Sequence, residues 1–255
     1  MFRVSNKASL PTGNRSTNQP QPPCHDPVAG HQRYARKSRP MKEDILEQLV
    51  EDWFVARPGF FVKHNVRFRP NRNHPDYISN RDSVHSDIDI LAVVTTAKKK
   101  PERVHVVTCK SWQGGFGLKN WRSDIEKEAE YNERSASFKP RERWKYFREL
   151  VSDKWMDAFL DTIEAETGQR DFTYTIAVTK LNGTEQERTN LEESTVLKAR
   201  FKAKGSNVII KVLTLAEVIA EYTERIVAKD TPSLEATDVG RLLQLIHAAG
   251  LRVTK

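Results

Sequence analysis

Asp89, Thr108 and Lys110 are the residues of this chain whose types and spacing point most directly to chemistry. Asp89 lies in the apolar run SDIDILAVV at 86–94, and Lys110 closes the run RVHVVTCK at 103–110. Both runs have strand length and many β-branched residues, and Lys98, Lys99, Lys100 and Pro101 sit in the link between them. They are predicted to form neighbouring antiparallel strands. Strict alternation puts Asp87 and Asp89 on one face of the first strand, and Thr108 and Lys110 on one face of the second. A carboxylate buried in an apolar strand without a partner is costly, so Asp89 needs a metal, a cation or solvent. An Asp facing a Lys at strand ends is a layout for holding a divalent cation beside a positioned water. The plain alternative is a carboxylate in water or paired with Lys110.

At these residues the chain resembles the PD-(D/E)XK nuclease superfamily, the restriction-endonuclease-like fold. The resemblance rests on Asp89 between apolar neighbours, on Lys110 at the end of the next apolar strand, and on Cys109-Lys110-Ser111-Trp112. That last stretch is similar to the Cys-Lys-aromatic ending of the Mrr-like and resolvase-like branches. The resemblance implies DNA as substrate, phosphodiester hydrolysis, and Mg2+ (or Mn2+) as cofactor. It implies a metal held by Asp89 with help from Asp87 and a first-helix Glu, and a Lys110 that orients or helps deprotonate the attacking water. A homodimer is compatible with it. Thr108 stands where the family has Glu, Asp or Gln, and a neutral hydroxyl serves a hard cation poorly. The Thr108 carbonyl or hydroxyl, or a bridging water, would take that ligand position, so the departure bears on catalysis more than on fold.

Glu43, Glu47 and Glu51 compete for the first-helix role. Glu47 borders the apolar stripe and stands about three turns before Gly59-Phe60, which selects it over the others; a surface glutamate is the plain reading of each. Gln113 and Lys119 flank Gly114-Gly115-Phe116-Gly117 and are candidate contacts to a scissile phosphate or its water. Trp112 and Trp121 either stack on bases or pack a helix against the sheet. Pro75-Asp76 spells the family's dipeptide but lies in a polar loop, away from any apolar strand, and is set aside.

The elements that must position these residues follow from periodicity. Apolar residues at 46, 49, 50, 53 and 54 predict a helix stopped by Pro58-Gly59. Strands are predicted over 60–68, 172–179 and 207–213, and a loop or lid over 71–85. Helices are predicted over 118–134, 141–166, 185–202, 215–228 and 238–249. Both faces of the two central strands are apolar, which requires a sheet covered on each side. The fold class is α/β, a mixed central sheet flanked by helices, in one domain over 41–255. Its αβββαβ core spans about 42–180 in the order the resemblance implies, with a helical insertion near 135–168.

Charge separates the tail from this domain. The chain carries a formal +8, and residues 1–40 hold Arg3, Lys7, Arg15, Arg33, Arg36, Lys37 and Arg39 against Asp26, a net +6. With its prolines and lack of apolar periodicity, the tail is predicted to be disordered. It reads as a solvated leader or as a phosphate-binding arm, with Arg36, Lys37 and Arg39 as nucleic-acid contacts. A transit peptide is disfavoured by the prolines, although organellar import stays open. No run reaches the length needed to span a membrane. Cys24 and Cys109 give no disulfide framework or zinc spacing, which suits a reducing intracellular compartment such as cytoplasm or nucleoid. The histidines lack metal spacing, and no Gly-x-Ser-x-Gly elbow exists. A metal-dependent endonuclease is the leading expectation. The alternatives are a catalytically impaired relative that binds nucleic acid and a protein-interaction module.

Overall fold

Asp44 opens the first helix as its N-cap, its Oδ1 accepting the Leu46 N–H at 2.8 Å. The helix α1 (Ile45–Val55) buries Leu46, Leu49, Val50, Trp53 and Phe54 on one side, the stripe its periodicity predicts. The computed structural model describes residues 44–126, 146–227 and 236–251. The basic tail with Arg36, Lys37 and Arg39, Glu43, and the predicted helical stretches 127–134 and 141–145 lie outside those residues.

In chain order the strands are β1 (Phe60–Phe68), β2 (Ser86–Val94), β3 (Val104–Lys110), β4 (Phe116–Gly117), β5 (Phe172–Val178), β6 (Leu181–Asn182) and β7 (Val208–Thr214). The main sheet runs β1-β2-β3-β5-β7 and is mixed. Its first three strands pair antiparallel, and β3, β5 and β7 pair parallel. Among the described residues the remaining α-helices are α2 (Ser79–Asp82), α3 (Leu118–Glu126), α4 (Arg148–Val151), α5 (Asp153–Thr167), α6 (Glu185–Glu192), α7 (Thr195–Ala203), α8 (Leu215–Val227) and α9 (Asp238–Ala248). Aromatic and aliphatic residues of α3, α4, α5 and α7 fill one face of the sheet, meeting Val104, Val106, Tyr174 and Ile176. Helices α1 and α8 cover the other, meeting Ile90, Ala92, Val107 and Cys109. The class is α/β with a mixed sheet between helices, as expected.

One irregularity shapes the site. Ile88 belongs to the α5 face, whereas Ile90 and Ala92 belong to the α1 face, so alternation reverses at Asp89. In β1, Val66 and Phe68 face α5 while Phe60 and Val62 face α1, and between them Asn65 adopts φ 54°. Asn tolerates that left-handed conformation better than most residues. The register passes from His64 opposite Ile90 to Val66 opposite Ile88, so both strands make their reversal side by side. Pairing of β2 with β3 stops at Ile90 opposite Val107, while β3 stays paired with β5 as far as Lys110. The two strands part where Asp89 and Thr108 sit.

Three expectations change. The 141–166 helix is interrupted within its described part, because Ser152 is extended between α4 and α5. The 185–202 helix restarts at Ser194, whose hydroxyl accepts the Leu197 N–H and donates to Glu126 Oε1; serine stabilises a helix start better than a helix interior. The 71–85 segment contains α2 and is fastened rather than loose. Lys154 and Asp82, both 3% exposed, pair at 2.9 Å, and Lys154 Nζ also donates to the Asp76 carbonyl.

Candidate active site

Where β2 leaves β3, the backbone N–H of Cys109 loses a ladder partner, and Asp89 supplies one. Its Oδ2 accepts from Cys109 N–H at 2.5 Å and from the Thr108 hydroxyl at 3.4 Å. Lys110 Nζ donates to Thr108 Oγ1 at 2.7 Å and lies 4.0 Å from Asp89 Oδ2. The result is a chain from ammonium to hydroxyl to carboxylate, with the Asp89 and Lys110 side chains each 16% exposed. Every hydrogen bond that Asp89 accepts from the described residues falls on Oδ2, leaving Oδ1 available. Burial pushes the Asp89 carboxyl up, while Lys110, the Cys109 N–H and the Thr108 hydroxyl pull it down and Asp87 raises it further.

The expected ligand set is only partly gathered. Asp87 is exposed, and the reversal at Asp89 removes the shared face that strict alternation gave the two aspartates. Glu47 projects from α1, on the Cys109 side of the sheet. The Cys109 thiol is pushed well up by burial, then by Asp89, Glu47 and Asp44. Among the described residues no three His, Cys, Asp or Glu side chains assemble into a metal-sized group, so Asp89, Asp87 and Glu47 do not form one. Gln113 and Lys119 are exposed on the segment that follows Lys110.

Several neighbours escape a sequence reading. Asp44 caps α1 with one oxygen and accepts from the Ser111 hydroxyl with the other, tying that helix to the residue after Lys110. Its signal was present as Asp44 three residues before Glu47, a helix-start pattern. Glu149 and Tyr174 are buried on the Thr108 face and hydrogen-bonded at 2.5 Å; nothing in their local sequence marks them. Trp112 and Trp121 stack on each other at 4.8 Å, and Trp121 on Phe116 at 5.6 Å, so the tryptophans pack as one aromatic wall. Tyr146 meets both tryptophan rings edge-on and is half exposed. The loop before this wall is held by Asn182 Nδ2 donating to the Gly114 carbonyl, and Gly115 (φ 81°) has no room for a Cβ against Lys180 and Asn182.

A separate cavity of about 760 Å³ lies between 69–74 and α5, lined by Arg69, Arg72 and His74 opposite Asp157, Asp161 and Glu166. Neither Asp89 nor Lys110 lines it. The chain matches no family model, no curated protein and no solved structure.

Proposed function

We propose that this chain is a Mg2+- or Mn2+-dependent DNA endonuclease of the PD-(D/E)XK type. The observation that carries the reading is the meeting of Asp89 and Lys110, from different strands, at the point where β2 and β3 part. The donors suit a hard cation: Asp89 Oδ1 is available, the Thr108 hydroxyl is adjacent, and Mg2+ is commonly held by one or two carboxylates with waters and substrate phosphate completing its shell. When bound, the metal would polarise the scissile phosphate and lower the pKa of the attacking water.

The chain's own residues do the rest. Asp89 must be ionised to act as a ligand, and Lys110 favours that state. Lys110 would orient the water and offset negative charge developing on phosphorus oxygens. The Thr108 hydroxyl holds the ammonium in place and relays its polarity to Asp89. Gln113 and Lys119, exposed just beyond, would contact phosphate, and the basic tail with Arg36, Lys37 and Arg39 would add sequence-independent affinity. No helix among the described residues is long and apolar enough to cross a membrane.

A second reading, a nuclease-fold protein that binds nucleic acid without cutting it, is favoured by Thr108 itself, since a hydroxyl closes the Lys110–Asp89 gap that a carboxylate would fill. Plasmid and linear DNA incubated with Mg2+, Mn2+ or EDTA separate the two. Metal-dependent cleavage that disappears in Lys110→Ala supports the enzyme. Salt-sensitive binding without cleavage supports the second reading.

A further inference from the structure

Glu149 is a buried carboxyl, 6% exposed, that the proposed mechanism does not use. Leucine would fill such a position without the desolvation cost of an acid. Several contacts hold it in place. Tyr174 donates its hydroxyl to Glu149 Oε1 at 2.5 Å. Arg200 of α7 donates to the carbonyl of the next residue, Leu150, and to the Ile125 and Glu126 carbonyls of α3. The one-turn helix α4 is thereby fixed at both its side chain and its backbone.

Its partner Tyr174 lies on β5, the strand next to Thr108 and Lys110. Tyr174 pairs in register with Val106, and Ile176 with Thr108, all on the α5 face of the sheet. Phe147, two residues before Glu149, puts its ring 5.6 Å from Lys110 Nζ. The charges of Lys110 and Asp89 are both felt at Glu149, and that of Asp89 at Tyr174. Glu149 therefore belongs to the same electrostatic cluster as Asp89 and Lys110, although it comes from the inserted helices rather than from the two strands.

We propose that Glu149 is the acidic group that Thr108 does not supply, serving with Asp89 as a second oxygen ligand for a divalent cation. The assignment rests on the nuclease reading above. It explains why a carboxyl is kept in an apolar layer, and it replaces Asp87 and Glu47 as the partner of Asp89.

Calorimetric titration of Mn2+ into the metal-free protein, without DNA, tests it. Asp89→Asn and Glu149→Gln should each weaken binding about tenfold or more. Glu149→Gln should melt no lower than wild type without metal, because Gln keeps an acceptor for Tyr174 and removes a buried acid. Thr108→Glu added to Glu149→Gln should recover affinity, since it restores a carboxylate next to Asp89. Wild-type binding by Glu149→Gln alongside weak binding by Asp89→Asn overturns the Glu149 assignment and leaves the Asp89 site standing. A double variant as weak as Glu149→Gln alone overturns the claim that Glu149 substitutes for the missing strand carboxylate. Wild type that binds no Mn2+ sinks the nuclease reading, and the ligand role with it.

Discussion

Lys154→Met is expected to cost about 3 kcal/mol of folding stability, and far less when Asp82 is already Asn. Lys154 Nζ lies 2.9 Å from Asp82 Oδ2 with both side chains 3% exposed, so water screens the pair little. At that distance two unit charges attract by about 6 kcal/mol at an effective dielectric of 20, and desolvation of both ions offsets much of it. The single change strands the Asp82 carboxylate with the Ile78 N–H at 2.7 Å and the field of Arg148. That residual support places the loss at the lower end of the range for a broken buried pair. With Asp82 already Asn, a neutral amide still accepts from Ile78, so Lys154→Met should cost only about 1 kcal/mol in that background. The coupling between the two positions is then about 2 kcal/mol. Urea unfolding of the wild type, both single variants and the double variant measures it. Single losses below about 1 kcal/mol, or simple additivity, would refute a buried and coupled pair. They would also remove the fastening of the 71–85 segment that leads into β2.

Three further outcomes follow from the same structure and sequence. Burial raises the Asp89 carboxyl, so its ionised form costs stability above its folded pKa and that cost fades as pH falls through it; Asp89→Asn should therefore melt above wild type at pH 7, with the gap closing in acid, and a lower melting temperature at pH 7 would contradict this. His105 is held down to about 4 by burial, so the unfolded chain takes up a proton first and stability is lost as pH falls from about 6.5 to about 4. That loss is on the order of 3 kcal/mol, and urea unfolding at pH 7 and pH 4.5 should show a smaller acid loss in His105→Gln than in wild type. Deleting residues 1–40 removes seven cationic side chains and should make the salt dependence of DNA binding shallower by at most about six in log–log slope; an unchanged slope on filter binding or anisotropy would leave the tail no phosphate role.

Local sequence was enough to determine β2 and β3, because runs of β-branched residues bounded by charge and proline favour extended backbone wherever they are placed. It was also enough for α1, whose apolar stripe acts within a few turns. The pairing of Asp89 with Lys110 was legible for a similar reason, since adjacent antiparallel strands joined by a short link bring such positions together. Tertiary structure decided what alternation could not. Whether Asp87 shares a face with Asp89 depends on the reversal that β1 and β2 make together at Asn65 and Asp89, and a strand's side-chain direction is set by its partner and its cores. The 71–85 segment looked free from its polar composition, yet Lys154, distant in sequence, binds it through a buried charge. Glu149 shows the limit most plainly. Within its own helix it is one acid between an arginine and two apolar residues. It joins Asp89 and Lys110 only because Tyr174 on β5 and Arg200 on α7 bring α4 onto the sheet, and contacts between such distant segments leave no periodic trace in the chain.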